Sequence, residues 1–128
     1  MKLLLDTHTF LWFLDDSPHL SHYARKLIED GANDVFLSAG GLWEMAIKVS
    51  LGKLSLAQPF ETLIPAQLAL NSIQVLGISV AHTAHIAILP FHHRDPFDRL
   101  FIAQALVEGM PIVSVDAALD AYGVTRLW

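Results

Sequence analysis

The 128-residue chain has no cysteine, which excludes a disulfide framework and any thiolate metal site. It has no long hydrophobic run either. Stretches such as FLWFL (10–14) fall far short of the roughly 18–20 apolar residues that cross a bilayer. The opening MKLLLD meets an acid before any extended apolar core or small-residue cleavage site, so it does not read as a secretory signal. Positive charge is scarce: 8 Lys and Arg against 13 Asp and Glu give a net charge of −5. That balance argues against a generic nucleic-acid coat. It does not exclude a nuclease, whose carboxylates must cluster to hold cations.

What remains is a chain 53% hydrophobic and 16% charged, a composition that can build a core rather than stay disordered. A single domain over residues 1–128 is expected, in the cytoplasm and without membrane insertion. The apolar share is high for a monomer and points to a covered partner surface.

Short apolar runs alternate with amphipathic segments. KLLL (2–5), DVFLS (34–38), IQVLGIS (73–79) and PIVSVD (111–116) read as buried strands. Helices are expected over THTFLWFLDD, 22–31, 40–54, 60–72, 80–89 and 96–108, with a short one in AALDAYG. The alternation predicts an α/β fold with a mainly parallel central sheet. No internal repeat or linker divides it.

Four acids stand out by position. Asp6 ends the first strand, Glu44 lies one turn into the helix after the second, Asp98 opens the 96–108 helix, and Asp116 ends the SV strand. In an open parallel sheet these places share the edge where ligands bind. Carboxylates gathered there repel unless a divalent cation neutralises them, and oxygen ligands suit Mg²⁺ or Mn²⁺. A plainer account exists for each acid. Asp6 and Asp116 precede helices and are competent N-caps, and Glu44 has Lys48 four residues on, a favoured helix ion pair. Asp95-Pro96-Phe97-Asp98 reads as an N-cap, a proline at the first helical position and an acid one turn in. Helix phase separates the last two acids. Asp98 shares a stripe with Ile102 and Ala105, while Gln104 and Glu108 mark a polar side. Asp95 is therefore expected to cap, and Asp98 to face the protein.

LLLDTHTFLWFL, the WE of GLWEMAIK, HHRDPFDRLFIAQA and VSVDAALDAYGV together resemble the PIN-domain ribonucleases, specifically the VapC-type toxins of toxin–antitoxin pairs. The likeness runs along the whole chain in order. It implies a three-layer α/β/α sandwich and a metal-dependent endoribonuclease using Mg²⁺ or Mn²⁺, neutralised by a cognate VapB-type antitoxin and forming a homodimer. Asp6, Glu44 and Asp98 fall on the family's acids, with Asp116 as its more variable fourth. Ser114 matches a small hydroxyl residue near the metal site and is a candidate substrate contact. Arg94 and Arg99 are candidates for RNA phosphate contacts, the other reading being surface solvation or pairing with Asp95 and Asp98, and His93 is a candidate substrate contact. The TFLWFL stripe and Trp43 read most simply as core, with a partner face as the other reading. His82 and His85 (HTAH) lack the third ligand of a catalytic zinc site and read as half-buried helix residues. Rival chemistries lack their residues: the chain has DTH where a dehalogenase-like phosphotransferase needs a second aspartate, and no lysine follows Lys53 for a receiver-type site. The rival of another class is a non-catalytic PIN-like binding or scaffolding module, which loss of an acid would mark.

Overall fold

Leu3, Leu4 and Leu5 of strand β1 (Lys2–Leu5) are all fully buried. Successive strand side chains point to opposite faces, so this burial requires a sheet covered on both sides. The computed structural model, which describes residues 1–128, shows how. After β1 come helices α1 (Thr7–Leu14) and α2 (His22–Glu29), strand β2 (Asp34–Ser38), and helices α3 (Ala39–Ser50) and α4 (Phe60–Leu70). Strand β3 (Ile73–Leu76), helices α5 (Val80–Ile88) and α6 (Pro96–Glu108), strand β4 (Ile112–Val113), a 3-10 turn (Ala117–Tyr122) and strand β5 (Arg126–Leu127) complete the chain. Every pairing is parallel, in the order β3-β2-β1-β4-β5.

The alternation in β1 sorts two cores. Leu3 and Leu5 join Val35, Leu37, Ile73 and Val113 against residues of α1, α2 and α4 such as Phe10, Leu27 and Ile64. Leu4 and Ile112 pack on the other face against Leu100, Phe101, Ile102 and Ala105 of α6. The result is the expected α/β/α sandwich. No helix is long and apolar enough to cross a membrane.

Two strands are shorter than their sequence patterns predict. The expected 73–79 strand stops at Leu76, because Ser79 starts α5 as its N-cap. The expected 111–116 strand pairs only through Ile112 and Val113. Beyond it the chain bends where Ser114 Oγ accepts the Asp116 N–H at 3.1 Å. β5 was not expected from VTRLW, since two paired residues leave no periodic signal.

The strand order reverses at β1, with β2 on one side and β4 on the other. Chains leaving the carboxyl ends of β1 and β4 therefore diverge and open a crevice. Glycine brings a third element to it. A Cβ on Gly40, in the first turn of α3, would stand 2.3 Å from Leu100 Cδ2. A side chain there would have to push the Leu100 methyl aside, so glycine eases the close approach of α3 to α6 that sets Glu44 beside the start of α6.

Candidate active site

Asp6 follows β1 directly, Asp116 follows β4, and Asp98 lies in the first turn of α6. These three, with His8, Trp12 and Val115, line one cavity of about 370 Å³ at the switch point. Each carboxylate is oriented by protein donors. Asp6 Oδ1 accepts the Thr9 N–H at 2.9 Å, and Asp116 Oδ1 accepts the Ala118 N–H at 3.0 Å. The capping reading therefore holds for both, and it uses one oxygen of each. Asp95 caps α6, accepting from the N–H groups of Phe97 at 2.8 Å and Asp98 at 3.4 Å. That leaves the Asp98 carboxylate free for the cavity, the division expected from the sequence.

His93 ties the site together. Its Nδ1 accepts the Asp95 N–H at 3.2 Å, so in the neutral ring the proton sits on Nε2. Nε2 lies 3.2 Å from Asp98 Oδ2 and 3.1 Å from Asp116 Oδ2. In this tautomer the imidazole donates to the two acids rather than offering a lone pair to a metal. The His93 N–H donates to the Tyr122 hydroxyl at 2.7 Å. Two oxygens, Asp6 Oδ2 and Asp98 Oδ1, carry no protein donor.

The Asp98 carboxyl is pushed from 3.8 up to about 7. Burial is the largest cause, followed by repulsion from Asp95, with His93 pulling the other way and Asp6 and Glu44 adding repulsion. A cation answers this chemistry: the surrounding groups are hard oxygen donors, several acids act on one carboxyl, and no arginine or lysine forms an ion pair with the three cavity acids, Arg126 acting on Asp116 only from a distance while it pairs with Asp120. The residues present fit a hard divalent ion.

Glu44 stands apart from that cavity. It is buried, with Oε1 accepting from Thr7 Oγ1 at 2.5 Å and Oε2 paired to Lys48 Nζ at 3.2 Å. It lines a neighbouring groove of about 450 Å³ with Lys48, Arg94 and Phe97, yet its charge still raises Asp98. The helix ion pair anticipated with Lys48 exists, but it is half sunk in the protein rather than a surface pair.

Four expectations are corrected. Arg99 does not present its charge to a substrate. It is buried, and its guanidinium donates to the carbonyls of Pro90 at 2.8 Å and Leu89 at 3.1 Å and lies over the Phe91 ring at 4.0 Å. It fastens the loop that carries His92, His93 and Arg94. Ser114 is fully buried and supports Asp116 through its hydroxyl, so it cannot touch RNA. Trp43 is not core: it is 62% exposed and meets Phe97 nearly edge-on at 5.4 Å. His82 is wholly buried rather than half-buried. Its Nδ1 accepts the Ser79 N–H at 3.0 Å and its Nε2 meets Glu108 Oε1 at 2.9 Å, a structural link between α5 and α6. Thr7 and Tyr122, which orient Glu44 and His93, were not anticipated; neither belongs to an acidic motif that would single it out.

A family model described as PIN domain matches residues 3–124. The chain is 32% identical over 122 residues to Ribonuclease VapC22 of Mycobacterium tuberculosis, covering 94% of this chain and 91% of that one. A shorter match, 36% identical over 61 residues, links it to Ribonuclease VapC16 of the same organism, over 48% of this chain and 43% of that protein. In fold it resembles a chain in the crystal structure of VapBC2 from Rickettsia felis bound to a promoter DNA fragment. The TM-score is 0.77 at 16% identity, over 99% of this chain and 98% of the other.

Proposed function

Since this chain belongs to the PIN-domain family, we propose that it is a VapC-type endoribonuclease toxin that hydrolyses RNA phosphodiester bonds and is neutralised by a VapB-type antitoxin. The observation that carries this reading is the switch-point cavity, where Asp6, Asp98 and Asp116 converge with Glu44 close behind. Asp6, Asp98 and Asp116 would hold one or two divalent cations, Mg²⁺ or Mn²⁺, with Glu44 as a further acid of the centre. Held by these acids, such a cation would supply an acidified water and offset charge on a phosphodiester.

The chain's own residues do the positioning. The Thr9 and Ala118 N–H groups and His93 fix one oxygen of each cavity acid or more, so the carboxylates need little reorganisation when loaded. Thr7 and Lys48 do the same for Glu44. Arg94 is exposed beside the site and would take a phosphate of the RNA strand. Such a product carries a 5′-phosphate and a 3′-hydroxyl, and no side chain becomes covalently attached. The protein would act in the cytoplasm as a homodimer, and Val75, Ile78 and Val80 form an exposed apolar strip at the β3 edge fit for a protein contact.

Induced expression in a bacterial host without the antitoxin tests this function. Growth arrest with accumulating RNA fragments is expected. Asp6→Asn, which keeps the α1 cap and removes the charge, is expected to restore growth. Arrest by both proteins alike would contradict the reading.

A further inference from the structure

The groove beside the acids is built from two helices of unlike character. Glu44, Ile47 and Lys48 of α3 form one wall, and Arg94, Pro96 and Phe97 at the head of α6 form the other. Trp43 stands at its rim against Phe97, at an interplanar angle of 77°. A contact at that angle leaves indole surface uncovered, which agrees with its 62% exposure. A tryptophan this exposed contributes little to the core and leaves ring surface open to a ligand.

The cations supply one. Of the four arginines, Arg25 pairs with Asp16 and Glu29, Arg126 with Asp120, and Arg99 is buried against carbonyls. Arg94 alone has no partner and is exposed, and it lies on this groove. In a chain of net charge −5, the one free guanidinium lies on the groove that Glu44 and Phe97 also line, with the exposed Trp43 packed on Phe97. Planar π-surface with an adjacent free cation is the composition that holds a single-stranded nucleic acid, base on ring and phosphate on arginine.

We propose that Trp43, backed by Phe97, is a stacking platform for one unpaired RNA base, with Arg94 on the adjoining phosphate, so that the strand enters the acidic cavity from the α3 side. This rests on the ribonuclease reading and adds a subsite to it. Stacking on a ring tolerates any base, so the platform selects single-stranded over paired RNA rather than a sequence.

The test measures affinity for two probes, an oligoadenylate and the matched ribose-phosphate chain without bases. Ca²⁺ replaces the catalytic ion, and gels confirm that the strands stay intact. The parent is expected to bind the oligoadenylate roughly tenfold more tightly than the abasic chain, as one base–aromatic stack contributes. Trp43→Ala should erase most of that difference and Trp43→Phe should keep much of it. Arg94→Gln should weaken both probes alike and lower the salt dependence by about one ion. The exposed positions make unfolding an implausible confounder, and circular dichroism checks it. If Trp43→Ala leaves the probe ratio unchanged while cleavage persists, the platform is wrong and the ribonuclease reading stands. If that variant instead changes the oligomeric state or loses antitoxin binding at an unchanged ratio, Trp43 belongs to a protein interface and the proposal fails. A parent that neither binds nor cleaves RNA overturns both readings.

Discussion

Asp98→Asn tests the electrostatics of the site through stability alone. The Asp98 carboxyl titrates at about 7 in the fold against 3.8 for the ordinary group, chiefly through burial and then repulsion from Asp95. A carboxyl raised by folding keeps its proton in the folded state after the unfolded chain has released it. Stability therefore falls as pH rises from about 4 to about 7, and the loss is complete above that window. At about 1.4 kcal/mol per pH unit the full gap is worth ~4 kcal/mol. The side chain is 26% exposed, and solvent screening reduces this to ~2 kcal/mol. Asparagine removes the penalty but loses a favourable charge at a helix N-terminus, about 0.5 kcal/mol. The variant should thus exceed the parent by ~1.5 kcal/mol near pH 8 and match it near pH 4.5. For a chain of this length that is a Tm gain of roughly 5–7 °C. Scanning calorimetry in EDTA at both pH values reads it. Saturating Mn²⁺ should reverse the order, because the cation stabilises only the protein that binds it. A variant less stable than the parent near pH 8 in EDTA, or a difference that ignores pH, would refute the reasoning.

Other substitutions separate structural from functional roles. Mn²⁺ affinity of the parent should rise between about pH 6 and pH 8, as the ion displaces the proton that Asp98 retains; calorimetric titration at the two pH values checks this. Arg99→Met strands buried carbonyls and should destabilise by about 3 kcal/mol, read by urea unfolding. Its RNA salt dependence should match the parent's, whereas a reduced slope would return Arg99 to the substrate surface. Gly40→Ala forces a Cβ against Leu100 and should cost about 1–3 kcal/mol in the same assay. His82→Ala removes the side-chain half of the α5 capping box and the Glu108 contact, leaves the Ser79 cap on the residue 82 N–H, and should cost about 2 kcal/mol, with no dependence on added Zn²⁺.

The architecture was legible because its signals are periodic. KLLL and DVFLS end at Asp6 and at the start of α3 as read, and the Asp95–Pro96 pair marked α6 to the residue. The acids were legible because a parallel sheet sends strand ends and helix starts to one edge. Helix phase was a weaker guide than it looked. Gln104, read as the polar side of α6, is fully buried with its amide donating to Gly77 O at 3.3 Å. Residues 99–105 are buried all round, so α6 has no wet face there to define a phase. Charge misled at Arg99 because a guanidinium's five donors serve backbone carbonyls as readily as phosphates. Hydrophobicity misled at Trp43 because apolar character does not distinguish a core residue from a platform. The roles of Thr7, His93 and Tyr122 are set by contacts across 23 to 37 residues of sequence, and no local pattern encodes such a contact.

The most direct test of the central claim is the end chemistry of RNA incubated with the purified, antitoxin-free protein and Mn²⁺. Fragments with 5′-phosphate and 3′-hydroxyl ends are expected, absent with EDTA and absent for a stably folded Asp6→Asn variant. Intact RNA under Mn²⁺, or cleavage that survives both EDTA and the substitution, would contradict the account.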